Sequence, residues 1–253
     1  MTGVLSGFHD ISLLQLALVA AVAFIASLIG GVSGYGTGAL MPLVLVPMVG
    51  AEPVVPIIAI SALLTNTSRA SAFFNFIDRQ RTFIVLACAI PTCVLGAWGY
   101  TYLTGRGASL VIGSMLLASV PLRRVLKTRG IVCSDRGLAF GSFGYGLLVG
   151  GTTGSGVILL SLLMAAGISS AGVIATDAAI SIVIGLVKVA VFGLSGVLTA
   201  QVVAFALLIG ITAFPGAFLA KALVARMPIH VHTAVLDLVV LIGGVFLVAR
   251  AFR

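Results

Sequence analysis

The sequence predicts an all-α protein that crosses a membrane many times, with about ten helical segments in two inverted repeats of five. Three observations carry this expectation. Of 253 residues, 60% are hydrophobic and 8% are charged, and mean hydropathy is +1.28. A soluble domain is about 45–50% apolar and about 25% charged, so this chain cannot cover a globule with polar surface. Apolar runs recur along its whole length. At roughly 20–25 residues per span they accommodate about ten helices with short connections and no soluble catalytic domain. Finally, a glycine-rich motif occurs twice, at an offset of 120 residues.

The expected segments are 11–29, 35–49, 53–74, 82–104, 107–122, 137–149, 156–167, 171–193, 198–223 and 229–249, each bounded by Gly, Pro or charged residues. Helices are the default because backbone groups in lipid must be satisfied internally. The stretch before the first segment, Met1 to Asp10, has no Lys or Arg. It lacks the basic region of a secretory signal, so the first segment is expected to be retained. The second segment opens in the first glycine run, and the third carries Ser61, Thr65, Asn66 and Arg69. The fourth ends in Trp98, Tyr100 and Tyr102, which suits an interfacial aromatic belt. The fifth is marginal in length, and the second, sixth and seventh are short. The sixth contains Gly137-x-x-x-Gly141, a small-residue packing motif. The eighth carries Asp177, Ser181 and Lys188, and the tenth carries His230 and Asp237.

Lys and Arg number 14 against 6 Asp and Glu, a net charge of +8. In a soluble protein that balance would suggest nucleic acid. Here the basic residues concentrate in the 75–82, 123–136 and 221–230 connections, while 50–53 and 193–198 have none. Membrane orientation accounts for this more simply. With ten crossings and the N-terminus outside, all three basic loops are cytoplasmic; Arg250 and Arg253 then fall outside, against the trend. The expected division is a first membrane repeat over 1–122, a basic cytoplasmic loop over 123–136 and a second repeat over 137–253. Glu52 and His9 are expected at the solvated surface.

The two repeats are anchored by Gly30-Gly31-Val32-Ser33-Gly34-Tyr35-Gly36 and Gly150-Gly151-Thr152-Thr153-Gly154-Ser155-Gly156; Ser61 matches Ser181 at the same offset. An odd number of segments per repeat requires the copies to be inverted. The basic 75–82 loop corresponds to the uncharged 193–198 loop, as inversion demands. Each glycine run breaks a helix, since Gly costs about 1 kcal/mol relative to Ala. Irregular backbone at membrane depth is tolerated only where it is buried or lines a cavity. Helices restarting near Thr37 and Val157 present unpaired N–H groups and the positive end of their dipoles. Two such ends facing each other form an anion site without any charged side chain, with Ser33, Tyr35, Thr37, Thr152, Thr153 and Ser155 adding hydroxyls. The competing reading is close helix packing through Gly30-x-x-x-Gly34-x-x-x-Gly38 and Gly146-x-x-x-Gly150-x-x-x-Gly154. On the binding reading, Gly36→Val or Gly156→Val is expected to abolish transport while leaving the protein folded.

Ionisable residues inside apolar segments are expensive and usually functional. Arg69 shares a face with Ser61 and Thr65, and Lys188 falls opposite Ser68 at the repeat offset. The pair is expected to act at two stages of one anion path; snorkelling to an interface is the alternative for each. Asp177 is expected either to pair with Arg69 or to carry a coupling proton, with a structural interhelical hydrogen bond as the alternative. It lies about 16 Å along the helix from Lys188, too far for direct pairing. Asp237, with His230 on the same face, is a second coupling candidate.

Gly34-Tyr35-Gly36-Thr37-Gly38-Ala39-Leu40-Met41-Pro42-Leu43, with a degenerate copy at 150–160, resembles the TauE/SafE sulfite exporter family, also called the toluene-sulfonate uptake permease family. The family often has consecutive glycines where Thr37 stands, and the second copy has Leu162 where the first has Pro42. The resemblance implies a bacterial inner-membrane secondary transporter, commonly an exporter, for sulfite or an organosulfonate such as sulfoacetate. The expected substrate-binding residues are Gly34, Tyr35, Gly36, Thr37, Gly38, Asn66, Arg69, Thr153, Gly154, Ser155, Gly156, Ser181 and Lys188. The expected partners are a small anion, the lipid bilayer and a coupling proton; nucleic acid, cofactor and metal are not expected.

Two rival classes stay open: a membrane thiol-redox enzyme and an uncoupled anion channel. Cys88, Cys93 and Cys133 are scattered, and Cys88 and Cys93 point about 140° apart on one helix. There is no nucleotide-binding motif and no His-Glu-x-x-His zinc motif.

Overall fold

A computed structural model of the chain describes residues 6–8, 11–33, 36–128, 133–224 and 229–252. Among them there is no strand. Ten α-helices follow in order: α1 Leu13–Ser33, α2 Gly36–Val49, α3 Val54–Ala72, α4 Arg79–Tyr100, α5 Gly105–Thr128, α6 Asp135–Gly151, α7 Gly156–Ala165, α8 Ser170–Leu194, α9 Ala200–Val224 and α10 Ile229–Ala251. Short 3-10 turns cover Ser6–Phe8 and Phe74–Phe76.

Local chemistry sets the boundaries. The Asp78 carboxylate accepts the Arg81 backbone N–H at 3.0 Å and starts α4 three residues before the expected position. Ser134 and Ser169 cap α6 and α8 by accepting from Gly137 and Gly172. Helix α5 runs to Thr128, so Arg123, Arg124 and Lys127 ride its last turns rather than a loop.

The stretches Leu13–Gly30, Arg79–Tyr100, Gly105–Leu122 and Ala171–Leu194 are long and apolar enough to cross a membrane. Helices α2 and α7 have 14 and 10 residues. At 1.5 Å per residue they measure about 21 and 15 Å, short of the roughly 30 Å hydrocarbon core. A crossing through either would need its flanking residues as well. Leu13, Phe83, Phe140, Leu194, Ile211 and Ile242 are among the large apolar side chains left exposed along α1, α4, α6, α8, α9 and α10, an outer jacket suited to lipid.

Packing crosses the middle of the sequence. Helix α4 lies on α6, and α9 on α1; α9 also packs on α3, and α4 on α8. Helices α3 and α8 pair with each other, as do α5 and α10. The short α2 rests beside α1, α3 and α10, and the short α7 beside α6, α8 and α5. Each of these contacts recurs with the first five helices exchanged for the last five.

Several small-residue positions serve this packing. Gly146 faces the Ala89 carbonyl and the Thr92 hydroxyl, Gly150 the Cys93 carbonyl, and Gly96 the Leu147 carbonyl. A Cβ at any of them would collide with the opposing helix. Gly146 and Gly150 are therefore crossing-point residues of α4 and α6. Gly36 is of the same kind: its missing side chain would strike the Ala26 carbonyl and Gly30 of α1. This overturns the expectation that Gly36→Val would leave the protein folded. Gly137-x-x-x-Gly141 does not bring two backbones together. Gly141 meets the Leu162 side chain, and Gly137 meets Cys133.

The aromatic cluster also divides. Trp98 and Tyr102 are exposed and stack edge to face with centroids 5.3 Å apart, as belt residues do. Tyr100 is buried, and its hydroxyl donates to the Ala51 carbonyl at 2.8 Å, tying α4 to the connection before α3. It is not part of a belt. Arg250 points its guanidinium at the Val46 carbonyl near the end of α2, 3.5 Å away. That end carries negative dipole charge, which gives Arg250 a local role where the loop-charge trend offers none.

Candidate functional site

Both glycine runs interrupt a helix. Helix α1 stops at Ser33 and α2 starts at Gly36; α6 stops at Gly151 and α7 starts at Gly156. Gly154 adopts φ +79°, a left-handed conformation that side chains with a Cβ rarely enter. The two interruptions touch. A Cβ on Gly38 would lie 3.2 Å from the Gly154 nitrogen, and one on Gly154 would lie 3.6 Å from the Gly38 carbonyl. The first turn of α2 therefore meets the backbone leading into α7. The Ser155 side chain makes no capping bond to α7. Helix starts leave N–H donors unpaired and carry partial positive charge, so two such ends converge here.

A cavity of about 130 Å³ opens at this meeting point. Twelve of the sequence-derived candidates border it: Gly36, Thr37, Gly38, Asn66, Arg69, Thr153, Gly154, Ser155, Gly156, Asp177, Ser181 and Lys188. Gly34 and Tyr35 lie outside the described residues, as do the side chains of Ser33, Asp237 and His230 and the whole of His9. Glu52 is exposed.

The charged groups are held in specific ways. Arg69 is 8% exposed, Asp177 1% and Lys188 5%, which excludes snorkelling to a water interface. Arg69 Nη2 donates to Asp177 Oδ2 at 2.8 Å, joining α3 to α8, and also to Asn66 Oδ1 one turn back. Lys188 Nζ donates to the Val149 carbonyl at 2.6 Å and the Thr152 carbonyl at 3.1 Å. It thereby covers the negative end of α6, where the helix breaks. Arg69 and Lys188 border the same cavity. Ser61 and Thr65 are buried beside Arg69 but spend their hydroxyls on carbonyls of their own helix, Ile58 and Ala62.

Two polar atoms stand out. Thr153 Oγ1 and Asp177 Oδ1 are buried without a hydrogen-bond partner, although buried polar groups are nearly always paired. Both residues line the cavity. A molecule with donors and acceptors seated there would satisfy them.

Sequence reasoning missed the Val149 carbonyl, Tyr145 and Ser27, all of which line the cavity. A carbonyl freed by a helix end carries no residue signature, and Tyr145 sits in an ordinary apolar run. Cys88, Cys93 and Cys133 are all free thiols, with Cys93 buried at the α4–α6 crossing. Among the described residues no His, Cys, Asp and Glu cluster is arranged to hold a metal.

The family model described as Sulfite exporter TauE/SafE matches residues 19–247, from within α1 to within α10. No curated protein and no solved structure matches the chain.

Proposed function

We propose that this chain, which belongs to the sulfite exporter TauE/SafE family, exports sulfite or a small organosulfonate such as sulfoacetate across the bacterial inner membrane. The family is one of multi-pass membrane transporters, and the all-helical chain with its apolar spans accords with that.

One observation carries it. Two half-helix starts meet in backbone contact at Gly38 and Gly154, beside a cavity that also holds Arg69, Lys188 and the unpartnered Thr153 hydroxyl. Such a lining is rich in donors and in positive charge, which offsets part of an anion's desolvation cost. An apolar cavity of about 150 Å³ takes benzene. A cavity of about 130 Å³ therefore suits a compact oxyanion better than an aromatic sulfonate.

Alternating access would come from two inverted repeats, residues 1–122 and 137–253, rocking about the central site. On this reading the basic 123–136 stretch, which the end of α5 and the start of α6 share, faces the cytoplasm. The packing scheme that survives exchange of the halves supports this arrangement. Asp237 is the residue proposed to carry a coupling proton, since the Asp177 carboxylate is paired with Arg69.

The test is uptake of sulfite, sulfoacetate, thiosulfate and chloride by liposomes containing the purified protein, with and without a pH gradient. Gradient-dependent flux of sulfite or sulfoacetate, with little chloride flux, is expected. Flux that follows voltage alone would mark a channel. Loss of activity on replacing all three cysteines would mark a redox enzyme.

A further inference from the structure

Within the transport reading, we propose that Asp177 sets the valence of the anion that the site accepts. Tethered to Arg69, it tunes the cavity to singly charged sulfur oxyanions of the RSO3⁻ type, hydrogensulfite included, over doubly charged ones; of the two substrates named above, this selects sulfite as hydrogensulfite over sulfoacetate, whose sulfonate and carboxylate make it a dianion at neutral pH.

The argument is a charge balance. Among the described residues that line the cavity, the charged ones are Arg69, Lys188 and Asp177. Two positive charges and one negative leave +1. These three side chains are buried, and charge held at reduced dielectric is most stable when it sums to zero. One monoanion brings the sum to zero, whereas a dianion leaves an uncompensated negative charge. The geometry keeps Asp177 in that sum. Its Oδ2 holds Arg69 Nη2 at 2.8 Å, while its Oδ1 is buried, unpartnered and part of a residue on the cavity wall. An entering anion is thus drawn by Arg69 and Lys188 and meets the Asp177 carboxylate at the same time. The other polar features of the lining, among them the two helix starts and the Thr153 hydroxyl, carry no net negative charge and attract either anion. Asp177 is the element that discriminates.

Methanesulfonate and thiosulfate test this cleanly. Both are tetrahedral sulfur oxyanions of similar size, with a methyl group in one replaced by a charged sulfur in the other. Binding of each, and of sulfite, is measured on the purified full-length protein in lipid nanodiscs. Wild type is expected to bind methanesulfonate more tightly than thiosulfate, on the order of tenfold, because a like charge close by at reduced dielectric is far costlier than in water. Asp177→Asn raises the cavity charge to +2 and is expected to shift the ratio of affinities toward thiosulfate by on the order of tenfold or more. A wild-type preference for thiosulfate overturns the proposal. So does an Asn variant that weakens both probes equally, since Asp177 would then only hold Arg69 in place. If the Asn variant does not fold, Asp177→Glu, which keeps the charge, must keep the wild-type preference, and its loss counts against the proposal. Failure of wild type to bind any of the three anions is a separate result that overturns the transport reading itself.

Discussion

Arg69 reaches from α3 to Asp177 on α8, and each needs the other. Removing one partner of a buried ion pair leaves a bare charge, at a cost of about 3–5 kcal/mol. Arg69→Gln is therefore expected to lower thermal stability in detergent by that order as well as to lose anion binding. Arg69→Gln combined with Asp177→Asn is expected to recover most of the stability and none of the binding. Recovery of both would make the pair purely structural. Lys188→Gln poses a different question, because the ammonium serves two carbonyls at the end of α6 while also facing the cavity. Sulfite affinity is expected to fall by about 1–3 kcal/mol, the range for hydrogen bonds to charged groups. Unchanged affinity, read by equilibrium binding, would assign Lys188 to the helix end alone.

Among the helices, the second break depends on one backbone conformation. Gly154→Ala imposes roughly 1–2 kcal/mol for the left-handed geometry and pushes a methyl to 3.2 Å from Leu116. Transport in proteoliposomes is expected to drop sharply while membrane insertion persists. Gly36→Val, directed at the α1 backbone, is expected to reduce the yield of folded protein instead. The start of α4 offers a pH test. Burial alone would raise the pKa of Asp78, but the bonds and charge of Arg81 outweigh it and hold the carboxyl below its usual 3.8. A depressed carboxyl stabilises the fold above the unfolded-state pKa and loses that contribution as pH falls through the folded-state pKa. Asp78→Ala is expected to lose about 1 kcal/mol at neutral pH, and the gap in melting temperature should close as pH drops below about 3.8. These elements also show what the sequence discloses. All ten helices were legible, because lipid demands apolar length and glycine runs interrupt it. The candidates Arg69, Asp177 and Lys188 were legible because a charge in an apolar run has no bland surroundings. Gly36 and Gly38 were not separable, since nothing local distinguishes a glycine pressed against α1 from one pressed against Gly154. Tyr100 looked like its exposed neighbours until its partner, the Ala51 carbonyl 49 positions away, was in view.

For the molecule as a whole, the exchange-symmetric packing relates the two halves, and we propose that they are inverted. Labelling tests it best away from the Asp78 cap. Asn75 and Ser195 are exposed and lie in matching connections. Asn75→Cys and Ser195→Cys, in a background without the three native cysteines, are expected to react with impermeant reagents from opposite sides of the membrane; reaction from one side refutes inversion. The same packing bears on biosynthesis. Helix α1 has an extensive partner in α9, and α4 has one in α6. A ribosome that has delivered five helices has therefore delivered surfaces whose mates are not yet made. Completion, rather than stepwise accretion, is then the moment at which the protein becomes resistant to membrane proteases, and a chain stalled after α5 is expected to be cleared. Supplied as two polypeptides in one cell, the halves should rescue each other from degradation.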